Sequence, residues 1–153
     1  MKRTILMALA AALITSFSFA QNKGEVVPEK VEKAFHKKFP DVKKVRWEKE
    51  NATVWEGEFK MNGTECSANF DQEGKWLETE MEIKKTDIPA NVQRVLDEKY
   101  AGFKIEESEK TETMEGKFFE FEMEKGEKTI ELRMTPDGKV VSEKVEEEDD
   151  DKD

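Results

Sequence analysis

Val27-Pro28-Glu29-Lys30-Val31-Glu32-Lys33-Ala34-Phe35-His36-Lys37-Lys38-Phe39-Pro40 and, at an offset of 61, Ile88-Pro89-Ala90-Asn91-Val92-Gln93-Arg94-Val95-Leu96-Asp97-Glu98-Lys99-Tyr100 carry one pattern twice. In the first, Val31, Ala34, Phe35, Lys38 and Phe39 fall at i, i+3, i+4, i+7 and i+8; in the second, Val92, Val95, Leu96, Lys99 and Tyr100 do the same. That spacing lays one apolar stripe along a helix and leaves the charges on its other side. Pro28 and Pro89 suit a first helical turn, where a missing N–H costs nothing. Thr86 and Asp87 stand where a side-chain cap for the second helix belongs. The helices are expected to stop at Phe39-Pro40-Asp41 and Tyr100-Ala101-Gly102.

Beyond each helix the apolar period changes from 3.6 to 2, the mark of strands with one buried face. Val45 and Trp47 alternate with charges, and Trp55, Gly57, Phe59 and Met61 form one face. Asn62-Gly63 then signals a two-residue hairpin turn, since both residues tolerate positive φ. Cys66, Ala68 and Phe70 make the next inward face, Asp71-Gln72-Glu73-Gly74 turns the chain, and Leu77, Thr79, Met81 and Ile83 follow. In the second half Phe119, Phe121 and Met123 lead to a Lys125-Gly126 turn, then Ile130, Leu132 and Met134, then Pro136-Asp137-Gly138, then Val141 and Val145. Gly138-Lys139 matches Gly74-Lys75 at an offset of 64, so the halves differ by a three-residue insertion near the first hairpin.

The expected fold class is therefore α+β: a tandem repeat of one helix followed by a three- or four-stranded antiparallel sheet. The repeats are placed at 21–86 and 87–146. A unit of about 60 residues is marginal alone, so the two sheets are expected to join edge to edge or share a core.

The ends read differently. Met1-Lys2-Arg3 precedes a charge-free run to Ala20, whose apolar centre Ile5–Ile14 is too short to cross a bilayer of about 30 Å comfortably. With small residues at Ser18 and Ala20 this is the pattern of a cleavable signal peptide, 1–20, leaving Gln21 first in an exported, periplasmic or secreted product. No later segment is apolar enough to span a membrane. At the other end, residues 147–153 form an acidic stretch with nothing to bury, expected to be a disordered tail. The net charge of −10 becomes −12 when Lys2 and Arg3 leave with the signal. Such an acidic chain repels phosphate backbones and anionic lipid, which argues against nucleic acid and membrane surfaces as partners. Cys66 stands alone, so no intramolecular disulfide exists and packing must supply the stability. Its alternation with Ala68 and Phe70 favours a buried structural thiol over a reactive one.

No catalytic constellation emerges. His36 is the sole histidine and lies on the polar side of its helix, which removes His-cluster metal sites. Glycines sit singly at turns, so no phosphate loop is present. The carboxylates that alternate along strands (Glu56, Glu58; Glu78, Glu80, Glu82; Glu120, Glu122) read as a solvated sheet face. The acidic end could attract Ca²⁺ loosely but lacks the spaced ligands of a dedicated loop. Asn51-Ala52-Thr53 and Asn62-Gly63-Thr64 fit a glycosylation sequon, although turn chemistry explains them better in an exported bacterial-type chain. Trp76 precedes Leu77, Thr79 and Met81 and so should point outward beside Glu78 and Glu80. An aromatic residue on a polar sheet face is a usual interface anchor; the alternative is that the other half or a loop covers it.

Ala34-Phe35 to Phe39-Pro40, Val45-Arg46-Trp47-Glu48, Gly57-Glu58-Phe59, Phe70-Asp71-Gln72-Glu73-Gly74-Lys75-Trp76 and Ile88-Pro89 together resemble the PepSY-like, β-lactamase-inhibitor-like domains of exported bacterial proteins, most closely the Bacteroidetes type. The resemblance covers nearly all of residues 25–146. It implies a fold like that of β-lactamase inhibitory protein, with a continuous sheet offering a broad surface to a partner. It does not imply inhibition, since this chain lacks the true inhibitor's disulfides, and it carries over no functional residue and no cofactor. The expected function is a non-catalytic exported domain that binds a protein partner through its outer sheet face, with Trp76 and Val54 as candidate contacts. The alternative is a periplasmic small-ligand or cation-binding domain using the acidic surface.

Overall fold

The computed structural model describes residues 26–147. The proposed signal peptide, and the expected tail from residue 148 onward, lie outside them. The element order is α1 (Glu29–Lys38), β1 (Val45–Lys49), β2 (Val54–Met61), β3 (Thr64–Asp71), β4 (Trp76–Glu82), α2 (Ala90–Lys99), β5 (Lys104–Thr113), β6 (Gly116–Lys125), β7 (Lys128–Met134) and β8 (Val140–Glu147). The strands form one antiparallel sheet in the order β1 to β8, each paired with its neighbour in sequence. Each helix is thus followed by four strands, and the halves meet edge to edge through the pairing of β4 with β5.

Ten-residue helices are marginal in isolation, so these two exist because the sheet takes their stripes. Val31 and Phe35 of α1 bury against Trp55, Phe59, Ala68 and Phe70. Val92 and Leu96 of α2 bury against Phe119, Phe121, Ile130 and Leu132. The two clusters are separate cores under one sheet. Pro28 and Pro89 sit one position earlier than the first turn, as N-caps; their carbonyls accept from Val31 N at 2.9 Å and Gln93 N at 2.8 Å. Thr86 and Asp87 do not cap α2: they belong to a short 3-10 turn, Lys85–Asp87.

The two Gly-Lys turns dock the helices. A Cβ on Gly74 (φ 82°) would stand 2.6 Å from the Lys30 carbonyl oxygen of α1, and one on Gly138 (φ 89°) would stand 3.0 Å from the Asn91 carbonyl oxygen of α2. Asp71 Oδ1 shapes the first turn by accepting from Glu73 N and Lys75 N, both at 2.9 Å. Asn62 (φ 53°) and Gly63 (φ 83°) form the expected hairpin turn. Asn51 also does turn work, its Oδ1 accepting from Thr53 N at 2.9 Å.

Two further expectations need correction, while β5, a strand of ten residues that no apolar pattern announced, brings its half to four strands, within the three or four expected. A register shift near the start of β8 pairs Met134 with Val140, so Val140 packs on the core and Val141 stands out, 51% exposed. β8 continues through Glu147, one residue into the stretch read as a tail.

Candidate functional site

Both helices lie on one face of the sheet, and no element among the described residues covers the other. Strand alternation and the register define what that open face presents. Glu56 stands opposite Asn69, and Asn69 opposite Glu78. In the next row Glu58 faces Ser67, Ser67 faces Glu80, and Glu80 faces Thr111. A third row runs Glu82, Glu109, Glu120, Arg133 across β4 to β7.

The solvated reading holds at Glu82, which is exposed, and fails at Glu56, Glu80 and Glu120. Glu56, Glu80 and Glu120 are at most 3% exposed, and Glu109 is 8% exposed. Alternation identified the face correctly but could not show that its centre is desolvated, because burial there comes from side chains on adjacent strands. Like charges stand directly opposite one another at Glu82–Glu109 and Glu109–Glu120, an arrangement that weakens a sheet.

Hydrogen bonding satisfies only part of this set. Ser67 Oγ donates to Glu80 Oε2 at 3.0 Å, and Asn69 Nδ2 to Glu78 Oε1 at 3.0 Å. Arg133 Nε donates to Glu120 Oε1 at 2.8 Å, its Nη2 lies 2.6 Å from the same oxygen and 3.4 Å from Glu78 Oε2, and its guanidinium stacks 4.9 Å from the Phe118 ring centre. Glu56 Oε1, Asn69 Oδ1, Glu109 Oε2 and Glu120 Oε2 are buried without a hydrogen-bond partner. Burial opposes ionisation, and neighbouring carboxylates oppose it further. Glu56 is pushed up to about 9, first by burial and then by Glu50 and Glu58. Glu109 is pushed up to about 8, first by burial and then by Glu107, Glu120 and Glu82. Burial holds Glu80 well above the usual carboxylate range. It also raises Glu120, against the pull of Arg133.

A hollow of about 970 Å³ lies toward the β1 end, with Val42, Arg46, Glu56, Glu58, Ser67 and Glu109 in its lining. Among the described residues no three His, Cys, Asp or Glu side chains gather closely enough to hold a metal ion. His36 is exposed, its ring edge-on to Phe35 at 5.4 Å. Cys66 is buried, and burial raises its thiol pKa.

The two candidate contacts do not share a surface. Val54 alternates with core residue Trp55 and lies on the open face, half-buried at the start of β2. Trp76 is on the helix side. The register steps from Asn69–Glu78 to Phe70–Trp76, which makes Leu77 an extra residue and turns Trp76 toward the first core. Its Nε1 donates to Thr79 Oγ1 at 2.9 Å, and the Lys38 ammonium sits 3.6 Å from its ring centre.

A family model described as β-lactamase-inhibitor-like, PepSY-like matches residues 55–142. No curated protein matches the chain. Among solved structures, a BLIP-like protein from Bacteroides fragilis is 22% identical, with 87% of this chain and 96% of that one aligned at a TM-score of 0.73. A DUF2874 family protein from Bacteroides uniformis is 18% identical over 77% of this chain and 88% of that one, at a TM-score of 0.71. A Bacteroides eggerthii protein, named for an expected periplasmic location, is 17% identical over 79% of this chain and 90% of that one, at a TM-score of 0.72. At these identities the likeness is one of fold.

Proposed function

We propose a binding role from one premise: the chain belongs to the PepSY-like, β-lactamase-inhibitor-like family. It acts as a non-catalytic domain, exported to the periplasm after cleavage behind Ala20, that takes a protein partner on the open face of its sheet. The observation that carries this reading is the buried, incompletely hydrogen-bonded carboxylate set on a face that no described element covers. Orphaned buried oxygens and facing like charges both cost stability, and binding is what would offset them. Val54, at the margin of that face, remains a candidate contact. The helix-side position of Trp76 leaves it a role in the fold.

The same element order in both halves, and the matching helix-to-turn contacts at Gly74 and Gly138, support two copies of one unit, 21–86 and 87–146. The hollow beside β1 favours a second reading, a small polar ligand held near Glu56 and Glu109. Capture from periplasmic extract, followed by cross-linking, separates the two. A protein partner cross-linked to β2–β7 open-face positions is expected. A partner that maps to α1 and α2, or recovery of only a small molecule, would overturn the primary reading.

A further inference from the structure

Resting on that reading, we infer that the open face recognises cationic side chains, lysine or arginine, on a segment of the partner protein, and that Glu56, Glu109 and Glu120 are the recognising groups. The unmet atoms named above are all oxygens, on carboxylates and one amide. An amide nitrogen can donate, but the unmet atom of Asn69 is its carbonyl oxygen. The Thr111 hydroxyl, also unmatched, can donate one bond, so four acceptor oxygens stand against one neutral donor, and once the carboxyls ionise the donor that fits carries positive charge. Glu109 makes the point alone: it is more than nine-tenths buried, aimed onto the open face between Glu82 and Glu120, and its Oε2 has no partner.

Arg133 shows the geometry such a guest would adopt. It forks between Glu120 and Glu78 and lays its plane on Phe118. It satisfies one oxygen of Glu120 and leaves the other unmet. The unmet oxygens of the three recognising carboxylates run from Glu56 on β2 to Glu120 on β6, four strand spacings, or about 19 Å at roughly 4.8 Å each. One small amine cannot span that distance, whereas several basic side chains along one segment can. An acidic or phosphorylated segment would add repulsion to a chain of net charge −10.

Docking a cation beside Glu56 and Glu109 favours their charged forms, so protons should leave as the segment binds. This separates specific docking from loose attraction to an acidic surface. The test is titration calorimetry of the intact protein with a twelve-residue peptide carrying four lysines spaced by alanine and serine, in two buffers of different ionisation enthalpy at pH 7. Expected are binding with net proton release, no binding of the glutamate counterpart, and at least about tenfold weaker binding for Glu109→Gln with Glu120→Gln. Glu32→Gln with Glu98→Gln, on the exposed sides of the helices, should stay within twofold. Equal weakening by both pairs, binding without proton release, or no binding would overturn the inference. Amide NMR shifts on the unmutated protein give a check that needs no variant: they should cluster on β2–β7, and shifts confined to α1 and α2 would also overturn it. If the native partner cross-links to the open face through apolar or acidic side chains, the inference falls while the binding role stands. If it cross-links to the helices, both fall.

Discussion

Trp76 shows how one inserted residue reverses a reading. Period-2 alternation from Met81 and Thr79 places Leu77 inward and Trp76 outward. The register shift consumes Leu77 and leaves Trp76 beside Phe70 on the helix side. A bulge leaves no dependable trace in apolar periodicity, because only hydrogen-bond register records it. Truncating Trp76 removes half-buried core area, the bond to Thr79 and the ring beneath Lys38. Full burial would put a Trp→Ala loss at about 3–5 kcal/mol, so about 2–3 kcal/mol is expected here. Denaturant melts of Trp76→Ala read this directly; a loss below about 0.5 kcal/mol, the scale of surface changes, would return the residue to the surface. The buried carboxylates were misread for a related reason. Sequence places Glu56, Glu80 and Glu120 on one face, but solvent access depends on which side chains neighbouring strands bring alongside.

At the scale of elements, the helices were legible because their stripes are strong and repeated, and most of the hairpins because Asn62-Gly63, Gly74 and Gly138 mark them. β5 was not. Only Ile105, at its start, packs on a helix cluster; further along, its helix-side positions are Ser108 and Lys110, where it pairs with a strand from each half. Hydrogen bonding to two neighbours makes it a strand, although one apolar residue is too few to announce a period-2 face. The Gly74 turn supplies a sharper test of what docks a helix. Gly74 and Gly126 both hold positive φ, but a Cβ on Gly126 meets nothing within 4 Å while one on Gly74 meets the backbone of α1. Gly126→Ala should cost only the left-handed strain, about 1 kcal/mol. Gly74→Ala should cost more than that by at least about 1 kcal/mol, since α1 must move. Equal losses in urea melts would show that the helix yields freely.

For the molecule as a whole, the carboxyls set how stability follows pH. Glu56 and Glu109 have folded pKa values of about 9 and about 8, above the ordinary 4.5. Between those limits the folded chain keeps protons that the unfolded chain has released, so stability falls as pH rises. Their favourable contribution is complete below about pH 4.5 and lost by about pH 8 to 9. The melting temperature should therefore be higher at pH 6 than at pH 8.5, and Glu56→Gln with Glu109→Gln should flatten the difference. A melting temperature that climbs over this range in the native sequence would show these carboxyls ionised in the fold. The strictly sequential strand order has a consequence for how the chain assembles. Each strand pairs with the one made just before it, so contact order stays low for a sheet this wide and every closing loop is short except the α2 connection between β4 and β5. The helix-to-turn joints of the two halves are of matched reach, Lys30 with Glu73 and Asn91 with the Pro136 carbonyl. A chain delivered amino end first can thus finish its first core before the second helix arrives, and the newly formed edge of β4 is already waiting as the template for β5.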